Sequence, residues 1–291
     1  MGCFATIKHE LFHASMYDLS VPTDSSEITA VAATNKMMNI DETFAPRPHL
    51  FFVGVKLVLA VWLLVTMVIS ILENEPYYGF WFAYLSSWVM IFTVMYAICS
   101  FISAALLTYR RPLERRKTEL TGKIGMLLKI TWTLFAVTFP AALVVTLLFW
   151  FLVFDGTLKY TSFMLHGISW IIVGIDGILI NRIPLKIKQF IFLETFSILY
   201  LVWSILHSAL NVGNPWNNNE GENQPIYDTV DWENGTGFAI GLAVVLLFAG
   251  LPIIFMLCRA LSLSLPMRCR NNDVCEAFND EESLEMPTRE S

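Results

Sequence analysis

Two residues in otherwise hydrocarbon-like stretches of this chain carry the groups that acyl chemistry uses. Ser86 lies within "YLSSW" (Tyr84 to Trp88) and His166 within "LHGISW" (Leu165 to Trp170). A serine hydroxyl becomes a competent nucleophile when a neutral imidazole takes its proton. Ser87 and Ser169 are candidates to orient the imidazole or to donate to a developing oxyanion, and His207 offers a second imidazole. The plain alternative is structural. Serines in membrane helices commonly bond the backbone or ease helix packing, and a buried histidine can be satisfied by a neighbouring helix. An imidazole in hydrocarbon is costly, however, and calls for a partner or a purpose.

The elements that must position these groups are read from composition. Hydrophobic residues make up 55% of the 291 and charged residues only 15%, too apolar for a soluble domain of this size. About 20 apolar residues span a bilayer. Six stretches qualify, near Phe51 to Leu72, Phe80 to Thr108, Ile124 to Val153, Ser162 to Ile180, Gln189 to Val212 and Gly237 to Leu261. Pro140 and Pro252 fall inside the third and sixth, as kinks a packed bundle tolerates. The expected fold is all-α, a polytopic six-helix transmembrane bundle over residues 47–261 with polar tails at 1–46 and 262–291.

The loops orient it. "YRRPLERRKTELTGK", "NRIPLKIK" and "RALSLSLPMRCR" are basic, whereas the other three connections share a single lysine. The positive-inside rule then places both termini in the cytoplasm and three loops outside, in a multi-pass protein of the plasma membrane. Tyr77, Tyr78, Trp81, Trp150, Tyr160, Trp216 and Trp232 gather at the outer boundary as an interfacial belt. The net charge of −6 comes mainly from the tails and outer loops and gives no footing for nucleic acid. Counted at about 1.5 Å per residue, Ser86, His166 and His207 all fall within one or two turns of the outer face.

A second polar layer sits near the inner boundary. Asp176, Lys129 and Glu194 are expected to form an internal ion-pair cluster, with Lys129 as the partner of Asp176, because unpaired charges are strongly disfavoured there.

The remaining motifs concern modification. "MGCFAT" fits the N-myristoylation pattern with Gly2 as acceptor and Thr6 in place, and Cys3 can carry a second chain. Paired acylation is the physically sensible arrangement, since one chain binds membranes only marginally. Cys269 and Cys275 are further palmitoylation candidates. Asn234 begins a glycosylation sequon, but the next helix starts so soon afterwards that the acceptor lies close to the bilayer. No cluster shows metal-ligand spacing and no glycine-rich phosphate loop occurs, so neither metal nor cofactor is expected.

In order and spacing, "FAYLSSW", "HGISWIIVGIDGILINRIP", "FSILYLVWSILHSALNV" and "IYDTVDW" resemble the rolling stone family of animal membrane proteins. The likeness runs from about Pro46 to Arg270. It implies a role in cell fusion or muscle development. The same pattern is more distantly similar to the androgen-induced family of six-helix membrane hydrolases, which cleave fatty acid esters of hydroxy fatty acids with a threonine and a histidine. Their threonine follows a Tyr-Leu pair, so Ser86 is the matching position, and their histidine matches His166. This chain departs from the two patterns by having serine in place of that threonine and Ser169 where an amide is expected three residues after the histidine.

Two functions therefore stand open. One is a serine-histidine hydrolase of a lipid ester taken from the outer leaflet. The other is a non-enzymatic membrane protein whose tails and outer loops recruit protein partners. A transporter is disfavoured, because nothing polar joins the two layers across the midplane.

Overall fold

The computed structural model describes residues 50–109, 123–154, 156, 159–181, 183–215, 225–227 and 229–264. The expected acylation sites Gly2 and Cys3, the arginine-rich loop after Tyr109 and the C-terminal cysteines Cys269 and Cys275 lie outside them.

Six helices among the described residues are long and apolar enough to cross a membrane. They are α1 (Leu50–Leu72), α2 (Leu85–Tyr109), α3 (Lys123–Leu148, running on through a widened turn at Phe149–Val153), α4 (Tyr160–Ile180), α5 (Ile187–Ala209) and α6 (Thr236–Ser264). A 3-10 segment, Tyr78–Ala83, leads into α2. Helix α3 is central and packs against α2, α4, α5 and α6, while α1 packs on α2 and touches α4. Many large side chains on the outer faces, such as Val58, Leu199 and Phe248, are exposed, as a lipid-facing surface requires. Lipid tails are as apolar as leucine, so such a bundle is held by close packing and interhelical hydrogen bonds rather than by hydrophobic exclusion.

The packing is aromatic through the middle. The ring of Tyr96 on α2 meets Phe135 on α3, which stacks on Phe139, which stacks in turn on Trp170 of α4, at centroid spacings of 5.6, 5.3 and 5.8 Å. Helices α3 and α4 approach so closely that a Cβ on Gly177 would come within 2.0 Å of the Phe135 ring. Only glycine fits there without moving the aromatic column.

Three stretches of these helices widen into π-turns, at Met164–Ile168, Ile175–Ile180 and Leu246–Gly250, besides the one ending α3. The turn at Leu246–Gly250 precedes Pro252. Proline has no N–H and its ring crowds the carbonyl four residues back, so a wider turn relieves the clash. The turn at Ile175–Ile180 has a different consequence. It carries a backbone bond from the Asn181 N–H to the Asp176 carbonyl, 2.8 Å. In an α-helix residues five apart are rotated by about 140°; the i to i+5 closure brings them onto one face.

On that face Asp176 meets Lys56 of α1 in an ion pair. The Lys56 ammonium also donates to Ser100 Oγ (2.8 Å) and Asn181 Oδ1 (2.9 Å). The second carboxylate oxygen of Asp176 accepts from Tyr96 (2.8 Å), Ser100 (2.7 Å) and Asn181 Nδ2 (2.9 Å). The expected pairing with Lys129 is therefore corrected. Lys129 is exposed on α3, and Lys56, inside the first apolar run, takes its place because α1 rather than α3 faces this side of α4. Glu194 is not part of the cluster either: one of its carboxylate oxygens is buried without a hydrogen-bond partner among the described residues.

Candidate functional site

At the opposite end of the bundle, Ser86 and His166 line one cavity of about 170 Å³. Its walls come from α2, α3, α4, α5 and α6, and its roof from Tyr227, Thr229, Val230 and Trp232 of the loop between α5 and α6. Aliphatic and aromatic side chains dominate the lining, among them Val145, Phe149, Leu201, Leu246 and Leu247.

Ser86 sits in the first turn of α2, where backbone N–H groups have no intrahelical partner. The helix begins at Leu85 because the 3-10 segment ends at Tyr84, whose backbone is extended. Tyr227 supplies what the helix terminus lacks. Its phenol oxygen accepts the Leu85 N–H at 3.0 Å. Tyr200, from α5, donates its hydroxyl to the Ala83 carbonyl at 3.0 Å. Burial pushes the Tyr227 phenol above its ordinary value, against the opposing hydrogen bonds from Leu85, Tyr200 and Ser86. It is therefore neutral and carries its proton.

His166 lies at the kink in α4, with φ −107° and ψ 17° inside the first π-turn. The Trp150 indole donates to its backbone carbonyl at 2.8 Å, satisfying an acceptor that the kink exposes. Its ring is stacked on Phe149, with centroids 3.7 Å apart. Nδ1 is buried with no hydrogen-bond partner among the described residues. No carboxylate orients this imidazole, so the pair is not the front of a serine-histidine-aspartate triad. Stacking holds the ring instead. Among the described residues, no hydrogen bond joins Ser86 to His166.

The three residues expected to support the pair stand apart from it. Ser169 donates its hydroxyl back to the Leu165 carbonyl at 3.0 Å and is buried away from the cavity. Ser87 is also buried and does not line it. His207 belongs to another depression, walled by Tyr77, Tyr78, Phe80 and Trp203, and its Nε2 is unpartnered among the described residues. The depth expected from counting along the helices did not bring these groups to one cavity. The polar groups that do reach the cavity and escaped sequence reasoning are Tyr227, Tyr200, Ser197, Ser204 and Thr229.

The roof is tied down at two points. The Trp232 indole donates to Ser204 Oγ on α5 at 2.9 Å. Asp231 accepts the N–H groups of Glu233 (2.8 Å) and Asn234 (2.9 Å) just before α6, and the backbone bond from Asn234 is the main cause holding its carboxyl below the usual range. Asn234, the sequon residue, is exposed two positions before the helix starts at Thr236. Among the described residues no three histidine, cysteine, aspartate or glutamate side chains come together as a metal site would require.

Comparison with protein-family models, with curated proteins and with solved structures gives no match to this chain.

Proposed function

We propose that this chain is a membrane-embedded hydrolase of a lipid ester, with Ser86 as nucleophile and His166 as its general base. The observation that carries the reading is one apolar cavity, at one end of the bundle, lined by both Ser86 and His166. The more distant likeness to the androgen-induced hydrolases, drawn from sequence alone, selects the same two residues. The gap between them is compatible with this role, because catalytic hydrogen bonds are often long or unformed until substrate binds.

The chemistry runs in two halves. Ser86 Oγ adds to the ester carbonyl as its proton passes to His166, and collapse of the tetrahedral intermediate expels the alcohol, which takes that proton. Water, deprotonated by His166, then cleaves the acyl-serine and releases the fatty acid. Size limits the substrate. A cavity of ~150 Å³ holds one benzene ring, so a site of about 170 Å³ takes the ester and its nearest methylenes. The rest of each tail lies in the surrounding bilayer. With both termini cytoplasmic by the positive-inside rule, the substrate is drawn sideways from the outer leaflet of the plasma membrane.

One observation favours the second reading, a non-enzymatic protein of cell fusion or muscle development. Among the described residues Ser86 makes no hydrogen bond to a histidine, and the Tyr227 phenol caps the helix start beside it, as in a structural terminus. In that case the cytoplasmic tails, with Gly2 and Cys3 acylated, are the part that recruits partners. A panel of branched and simple fatty acid esters, presented to the purified protein in lipid nanodiscs, separates the two. The hydrolase reading expects fatty acid release by the wild type and none by Ser86→Ala; no release from any ester leaves the second reading.

A further inference from the structure

We propose that the Tyr227 hydroxyl, carried by the loop between α5 and α6, is the hydrogen-bond donor that stabilises the oxyanion formed when Ser86 attacks an ester. This rests on the hydrolase reading and adds to it a residue from outside the helices.

Of the hydroxyls that line the cavity beside Ser86, Ser197 donates back to the Leu193 carbonyl and Ser204 accepts from Trp232, whereas Tyr227 lies against the start of α2 itself. Ser87 and Ser169, the hydroxyls nearest in sequence, do not line the cavity, and the Ser169 hydroxyl is committed to the Leu165 carbonyl. The backbone N–H groups at the start of α2 are the next resource, since a helix N-terminus is a natural place for negative charge. The Leu85 N–H is directed at the Tyr227 oxygen instead, and those of Ser87 and Trp88 at the Tyr84 carbonyl. A phenol oxygen has two lone pairs and one proton. With a lone pair turned to the Leu85 N–H and the phenol donating to no group among the described residues, the proton is what remains to be given. Tyr200 donates its own proton to the Ala83 carbonyl, so that proton is not offered to the cavity. The Tyr227 hydroxyl thus extends the N-terminus of α2 into the cavity as a single polarised donor, next to the hydroxyl that attacks.

In the step itself a bond forms between Ser86 Oγ and the carbonyl carbon, and the carbonyl π pair moves onto oxygen. The serine proton goes to His166. Tyr227 keeps its proton and shares it with the oxyanion. On collapse the carbonyl re-forms, the alcohol leaves with the proton held by His166, and the phenol proton is released from the carbonyl oxygen. Such a donor is worth most where water is excluded and where it needs no reorientation. The two anchors of the loop, Trp232 on Ser204 and the Asp231 turn, give it that fixed position.

The test is steady-state hydrolysis of one active ester by the full-length protein in nanodiscs, with Ser86→Ala, Tyr227→Phe and a variant carrying 3-fluorotyrosine at position 227. Removing one oxyanion donor lowers kcat by roughly 10²–10³-fold, and Tyr227→Phe is expected to do so with KM nearly unchanged. The fluorinated ring, more acidic and almost the same size, is expected to move the alkaline limb of kcat to lower pH. A purely structural tyrosine would not. If Ser86→Ala is inactive while Tyr227→Phe keeps kcat within about 3-fold of wild type, well short of an oxyanion donor's effect, the inference falls and the hydrolase reading stands. Should Tyr227→Phe fail to fold, an unshifted alkaline limb in the fluorotyrosine protein overturns it equally. A wild type that cleaves no ester overturns both.

Discussion

His166 on α4 lies flat against Phe149 on α3, with ring planes 8° from parallel. The stack is the device that orients the imidazole, because Nδ1 has no hydrogen-bond partner among the described residues. Aromatic pairs are worth about 0.5–1.5 kcal/mol beyond their burial, enough to hold one ring orientation over its rivals. Phe149→Leu, which keeps much of the volume and loses the aromatic face, is therefore expected to cut hydrolysis by roughly tenfold, the rate equivalent of about 1.4 kcal/mol. Phe149→Tyr should retain most of it. Initial rates beside a thermal melt check this; an unchanged rate in a correctly folded Phe149→Leu protein would show that the stack is incidental.

The Lys56–Asp176 cluster gives a stability prediction. Breaking a buried pair by removing one partner costs about 3–5 kcal/mol in soluble proteins. Lys56→Met and Asp176→Leu should each lower the melting temperature in detergent strongly, and the double substitution should recover part of the loss. Lys129→Met should leave the melt unchanged, since Lys129 is exposed. A large effect at Lys129 with none at Lys56 would reverse the assignment.

The roof of the cavity should loosen in acid. Because Asp231 is held below its usual pKa in the folded loop, its contribution is fully present above the unfolded value of about 3.9 and disappears as pH falls through the lower folded value. Hydrogen exchange over residues 225–235 should therefore rise below about pH 4 relative to neutral solution, once intrinsic rates are corrected. Asp231→Asn keeps an acceptor for the same turn and should abolish the pH dependence. An acid response that survives in Asp231→Asn would move its origin elsewhere.

Helix number was legible from sequence because a bilayer demands long apolar runs, and Leu50–Leu72 or Tyr160–Ile180 satisfy that demand by composition alone. That Ser86 and His166 belong to the same end of the bundle was legible too, for both line one cavity. Azimuth was not. Ser86 and His166 lie on one cavity while Ser87, Ser169 and His207, at similar depths, do not, and the kink at His166 is one reason. A π-turn rotates the remainder of its helix, and nothing in "LHGISW" announces one. Lys56 left a visible trace, a lone cation in "FFVGVKLVLA" needing a carboxylate at matching depth. Tyr227 left none, for a tyrosine in a long polar loop gives no sign that it caps a helix 142 positions away.

Where an activated phosphonate attaches tests the assignment of nucleophile and base most directly. Purified wild-type protein in nanodiscs would be treated with a lipophilic fluorophosphonate, digested and sequenced by mass spectrometry, alongside Ser86→Ala and His166→Ala proteins of equal melting temperature. The expected result is a single adduct on Ser86, absent from Ser86→Ala and reduced at least a hundredfold in rate in His166→Ala, within the roughly 10²–10⁴-fold contribution of a general base. Absence of any adduct on the folded wild type, or labelling of Ser86 at the same rate without His166, would contradict it.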